Sequence, residues 1–255
     1  SHLNLADLRS LRSNQIAALN SDQLIALTTD QIAGLATAQW RGVSTANIGL
    51  LTTDQIVALG YTALASLSTR QVAALSTDQV AALTTNQITV LTTQEIAALT
   101  AEQKAALTTD QLGALASLAS FSTAAIAALT TDQIASLSAG ILVSLTTRQI
   151  AALTTDQIAA LTTNAVVTLS TAQFRALGSD QIAALTSDQV PAIEIADLLA
   201  LSTRQIAALT TDQLGRLTNV QFASLSTQDI AALTTRQIAA LTTDQVASFA
   251  NLAPL

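Results

Sequence analysis

The sequence predicts an all-α solenoid built from very short helices, and three observations carry that expectation. First, an eight-residue unit recurs without interruption from Asn4 to Phe249; its plainest copy is Thr154-Thr155-Asp156-Gln157-Ile158-Ala159-Ala160-Leu161. There are 31 such units, and only residues 116–121, with six residues, break step. Second, Ser or Thr opens 23 units and Gln holds the fourth position in 21, which is the spacing of a capping box. Third, large apolar residues fall at the fifth and eighth positions, Leu closing 27 units, so each pair lies on one face of a helical turn. Self-similarity at a fixed period is the signature of a repeat architecture.

Each position has a local reason. The opening hydroxyl accepts from the backbone N–H three residues on, and the fourth-position Gln accepts from the N–H of the cap itself. Asp at the third position, as at Asp22, Asp30, Asp180 and Asp188, sits in the first turn and suits the positive end of the helix dipole. This explains the Asp series better than a ladder of Ca²⁺ ligands, which would need six to eight oxygens around each ion. Gln-Ile-Ala-Ala-Leu has good helix propensity, the two Ala residues allow close approach of neighbouring helices, and the next Thr opens a new cap.

Rival folds fit less well. A continuous helix repeats its apolar stripe every 3.6 residues, whereas the spacing here alternates three and five. Eight residues at about 100° each overshoot two turns by about 80°, so the stripe of a straight rod would wind rapidly around it. A β-solenoid calls for strict alternation and β-branched residues, which Ala-Ala and Asp-Gln do not supply. Helices of this length do not persist alone in water. Ile and Leu must therefore be buried against neighbouring units and against the coils above and below, with stability building along the array. The expected form is a thin, filled, right-handed superhelix with roughly 3 to 3.5 repeats per coil. The coil size is suggested by Arg70, Arg148, Arg204 and Arg236, which recur at separations of ten, seven and four units.

Composition narrows function. Only 11% of residues are charged, so the surface is expected to be largely neutral Thr, Ser and Gln. The net charge of −7 is the wrong sign for gripping phosphates, so no nucleic-acid partner is expected. With no Cys there is no disulfide scaffold or thiolate site. The one His, His2, lies in residues 1–3, which read as a tag remnant, and no other imidazole can serve as base for a hydroxyl nucleophile. Glu95, Glu102 and Glu194 form no carboxylate pair across a cleft, and the Gly residues are too dispersed for a phosphate loop. The reading is a non-catalytic protein with no catalytic residue, cofactor or metal site. Residues 111–131 carry no charge over a length that could cross a bilayer, yet their Ser and Thr content and their place in the repeat argue against a span. Residues 4–249 read as a single repeat domain and residues 250–255 as its end, with Pro254 as a stop. Weakly polar ends suggest end-to-end self-association.

Departures from the repeat are the remaining candidates for a site. Residues 190–197 place Pro inside a unit's helix and lose the Thr cap, which reads as a tolerated kink or as a docking bend built on Pro191, Glu194 and Asp197. The six-residue unit 116–121 reads as a shift of coil phase. Trp40 and the Phe residues read as large core fillers. Lys104 stands at a core position and is expected to snorkel outward with its stem packed. The second Thr of each pair is not needed for capping, so a regular Thr surface could template ordered water, as on ice-binding proteins.

Units such as Thr52-Thr53-Asp54-Gln55-Ile56-Val57-Ala58-Leu59 resemble the octapeptide arrays of very large bacterial secreted or surface proteins. That resemblance, which covers essentially the whole repeat, implies a spacer or stalk segment of an adhesin-like protein, extracellular or at the cell surface. A module that grips a protein or glycan along one edge of the coil is the alternative. Leu-Thr-x-Asp-Gln-Val-Ala is also similar to the opening of TAL-effector repeats, but their 34-residue period and base-reading loops are missing here.

Overall fold

In the computed structural model, residues 4–248 are described. They form 29 α-helices of four to six residues and one 3-10 turn, Val190–Ala192, with no strand among the described residues. Residues 1–3, with the tag reading of His2, and residues 249–255, with Phe249 and the Pro254 stop, lie outside that range. The chain divides into two compact units, Ser1–Ala128 and Leu129–Leu255, and each is a solenoid of short helices.

The helix Thr53–Val57 shows how a unit folds. Thr52 is its N-cap in extended conformation (φ −70°, ψ 158°). Its hydroxyl accepts from the Gln55 N–H at 3.2 Å, while Gln55 Oε1 accepts from the Thr52 N–H at 3.0 Å. At the other end the Leu59 N–H donates to the Ile56 carbonyl at 3.1 Å, which tightens the last turn before the chain extends into the next cap. Many helices end on a residue at positive φ, usually Gly, but no described residue of this chain has positive φ. Termination is done instead by Leu entering the extended region and by the hydroxyl cap that follows it. Glycine is needed for another reason at Gly42, where a Cβ would collide with the Ser13 carbonyl oxygen.

Packing follows from the fifth and eighth positions. Ile56 and Leu59, Ile88 and Leu91, Ile158 and Leu161 are all buried, at about 1.5–3 kcal/mol for each side chain removed from water. Helices that pack together lie three units apart. In the first unit Thr53–Val57 lies against Thr77–Ala82, and Thr69–Ala73 against Thr93–Ala98. In the second, Thr131–Ala135 lies against Thr155–Ala160, and Thr147–Ala151 against Thr171–Ala176.

The fourth-position glutamines overturn the expectation that they populate the surface. Gln55, Gln87, Gln111, Gln157 and Gln213 are all buried, because their amide has a second task. Gln87 Nε2 donates to the carbonyls of Ile56 (2.9 Å), Val57 (3.2 Å) and Leu59 (3.0 Å). Gln213 does the same to Ile182 (2.9 Å), Ala183 (3.2 Å) and Leu185 (2.6 Å). These carbonyls close the helix of the unit four back; Ile56 and Ile182 already accept one backbone N–H each, while Val57, Leu59, Ala183 and Leu185 are the acceptors that a helix C-terminus leaves without an intrahelical partner. With helices packing on the third unit back and amides reaching the fourth, one coil takes between three and four units.

Glu95 breaks this rule. It is buried, and its Oε2 accepts from the Thr92 N–H (2.7 Å) and hydroxyl (2.9 Å), so the cap is intact. A carboxylate has no N–H for the carbonyls of Leu64 and Leu67, four units back. Residues 111–131, the charge-free run, are divided among the end of helix Thr109–Ala114, an irregular turn and helix Thr123–Ala127; among the described residues no helix is long and apolar enough to cross a membrane.

Two outcomes follow in urea unfolding monitored by circular dichroism. Thr84→Ala removes one cap and should cost about 1 kcal/mol. Gln87→Met strips both the cap N–H and the carbonyls beneath of their partner and should cost about 2–4 kcal/mol; a loss no larger than that of Thr84→Ala would contradict the second role of the amide. Glu95→Gln, which restores the missing donor, should instead stabilise the chain by about 1 kcal/mol.

Candidate functional site

Residues 190–197 and Lys104 depart from the repeat in different ways. At residues 186–193 the Thr cap is kept. Thr186 accepts from the Gln189 N–H at 3.3 Å, and Gln189 Oε1 accepts from the Thr186 N–H at 2.7 Å. The cap that is lost belongs to the following unit, whose first residue, Glu194, makes no side-chain cap bond to its helix Ile195–Ala200. Pro191 leaves its unit only the single 3-10 turn Val190–Ala192, because a proline has no N–H to donate back along a helix. The stack still accepts this unit: Gln221 Nε2 donates to Val190 (3.2 Å), Pro191 (3.3 Å) and Ile193 (2.7 Å).

Of the three residues read as a docking bend, Pro191 and Glu194 are exposed and Asp197 is buried. Asp197 Oδ1 accepts from the Thr171 hydroxyl at 2.7 Å, so this carboxylate is engaged inside the fold. Pro191 and Glu194 line a shallow open depression with Val167, Ile195 and Thr218.

The second departure is centred on Lys104. The sequence suggested an ammonium reaching outward, but Lys104 is 3% exposed and turns its head inward. Nζ donates to the carbonyls of Ala97 (2.9 Å) and Leu99 (2.8 Å) and lies 5.4 Å from the centre of the Phe121 ring. The reason lies four units on, where Ala125 occupies the fourth position of the unit 122–129. Ala125 has no amide for the helix end at Ala97 and Leu99, and the Lys104 ammonium supplies the missing donors. Burial pushes the Lys104 amine below its ordinary value, since the charged form loses hydration.

The large aromatic residues are core fillers. Trp40, Phe174 and Phe222 are fully buried and Phe121 nearly so, while Tyr61 is exposed. The Trp40 indole N–H is buried without an acceptor, the one such side-chain atom among the described residues. Among the described residues no three His, Cys, Asp or Glu side chains converge as metal ligands.

The amide-to-carbonyl clamp and the Lys104 substitute for it were missed in the sequence, although a signal was present. A capping box takes Glu as readily as Gln, yet Gln fills the fourth position 21 times and Glu once, at Glu95. A preference for the amide over the carboxylate is a demand for a donor.

Short capped helices, a shared core line and one hydrogen-bond pattern repeated from coil to coil define a helical repeat protein. The family model of the ALTTAQ repeat matches residues 1–37, 62–93, 135–163, 164–193, 190–227 and 219–251, together well over half of the sequence. The chain belongs to the ALTTAQ repeat family. Among curated proteins no match is found.

The Lys104 assignment predicts a rescue and a pH dependence. Lys104→Leu alone should destabilise the chain by about 1–3 kcal/mol, through the carbonyls it orphans; Lys104→Leu with Ala125→Gln should recover most of that loss. The folded chain holds the Lys104 proton less tightly than the unfolded chain does. The burial cost is therefore fully present at neutral pH and is relieved as pH rises from the lowered folded value through the ordinary value near 10.4. The stability of the native chain relative to Lys104→Leu should accordingly grow as pH rises from neutral through the ordinary lysine value in urea titrations; a shrinking gap would reverse the assignment.

Proposed function

We propose that this chain is a non-catalytic spacer, a stalk segment of a large bacterial surface or secreted protein that holds other domains away from their point of attachment. The observation that carries this reading is the recurrence of one interface. From Gln39 on Leu8 and Leu11 to Gln245 on Leu214 and Leu217, one amide-to-carbonyl pattern joins coil to coil within each unit. A structure whose interfaces are alike can be lengthened or shortened by whole coils without a new packing problem, as nearest-neighbour stability in solenoids allows. Membership of a repeat family supports the structural role; the extracellular setting rests on the resemblance to octapeptide arrays of surface proteins.

The alternative, in which one edge grips a glycan, would draw support from a row of exposed aromatics. Trp40, Phe121, Phe174 and Phe222 are instead used inside the core, which favours the spacer.

Residues 44–99 are seven units. Duplicating them should leave the helical content per residue unchanged and move fluorophores placed at the two ends of the first compact unit further apart by about 16–20 Å, two layers of helices at 8–10 Å each. An unchanged separation, or a chain that no longer folds, would overturn the spacer reading. Recovery of the protein from the cytosol, and not from the surface or medium, would overturn its proposed location.

A further inference from the structure

In the six-residue unit 116–121, Leu118 and Phe121 take the buried fifth and eighth places, so Ser117 stands where a regular unit has its glutamine. Its side chain is too short to reach another coil, and its hydroxyl accepts locally from the Ala119 N–H at 3.0 Å. Four units back lies the unit 84–91, with Ile88, Thr89 and Leu91 at the positions whose carbonyls receive the amide in regular interfaces, as Ile56, Val57 and Leu59 receive Gln87. No glutamine among the described residues donates to this helix end, and the Lys104 ammonium is committed to Ala97 and Leu99.

A cleft of about 310 Å³ opens at this place. Ile88, Leu91, Ile96 and Leu115 give it apolar walls, and Thr93 and Ser117 stand beside them. It therefore combines aliphatic surface with backbone acceptors of the kind that Gln87 and Lys104 supply with an N–H donor elsewhere in the fold. Gln87 and Lys104 show that both a primary amide and an ammonium on a flexible aliphatic stem satisfy such a helix end.

We propose that this cleft binds a small aliphatic molecule with an N–H donor head, a primary amide or a primary ammonium. The head sits on the carbonyls of Thr89 and Leu91 in place of the glutamine, and the tail lies along Ile96 and Leu115. Recognition is by donor, so a ligand of the same size that offers only acceptors leaves the carbonyls without a partner and is rejected. A ligand this small binds in the millimolar range.

The test is a methyl NMR titration of the whole chain with four probes: butyramide, butylammonium, butyrate and methyl butyrate. Butyramide and butylammonium should shift the methyl signals of Ile88, Leu91, Ile96 and Leu115 and saturate, while butyrate and methyl butyrate bind at least about tenfold more weakly, the worth of one hydrogen bond at 1.4 kcal/mol. Ser117→Gln places the amide in the cleft from within; it should raise the thermal midpoint and weaken butyramide by about the same factor. Equal binding of methyl butyrate and butyramide, or butyramide binding unchanged in Ser117→Gln, would overturn the proposal. Should Ser117→Gln fail to fold, the comparison of butyramide with methyl butyrate on the native chain decides it.

Discussion

A glutamine side chain that serves two helices at once is the interaction on which this structure depends. Its oxygen accepts from the first N–H of its own helix, as Gln87 does from Thr84 at 2.9 Å. Its nitrogen donates to the last carbonyls of a helix one coil below. A helix of five residues is nearly all terminus: most of its N–H and C=O groups have no intrahelical partner. A fold made of such helices would be full of unsatisfied backbone unless each end were met by a side chain. The hydroxyl and amide pair meets the N-terminus, and the same amide meets a C-terminus elsewhere. One residue per unit thus removes the main objection to building with very short helices, and it does so only when coils are stacked.

The exceptions separate the two tasks of the amide. Where Ala125 replaces the amide, a lysine from a core position turns inward and supplies the donors. Where Glu95 replaces it, the cap survives, because capping needs only an acceptor, and the donation is lost. Where Ser117 replaces it in a shortened unit, a cleft remains. Pro191 reduces a helix to one 3-10 turn, yet Gln221 still finds the Pro191 carbonyl, so the contact between coils survives a damaged helix. Single units thus vary while units such as 84–91 and 210–217 keep the amide-to-carbonyl contact.

Burial is likewise a property of the stack. Ile158 is 0% exposed and Ile238 is 41% exposed, although both hold the fifth position of nearly identical units. The difference is how much of each side chain a neighbouring coil covers. The hydrophobic term is therefore shared between coils and cannot be assigned to a unit by itself, as expected when short helices have no stability of their own.

Much of this was legible in the sequence. The unit length, the Thr–Gln capping box, the first-turn Asp, the buried Ile and Leu at the fifth and eighth positions and the absence of long helices all follow from contacts spanning three or four residues, and such contacts are written directly in the order of side chains. Asp197, Lys104 and the glutamine nitrogen were not legible in this way, because their partners lie far along the chain: Thr171 is 26 residues from Asp197, and Leu59 is 28 residues from Gln87. Which residues meet across a coil depends on how many units complete one turn, a quantity set by the packing of Ala, Ile and Leu surfaces. The sequence by itself therefore determined each helix and its cap, while only the tertiary structure decided which carbonyls each amide and the one buried ammonium would reach, since those distances exist only after the coils have closed on one another.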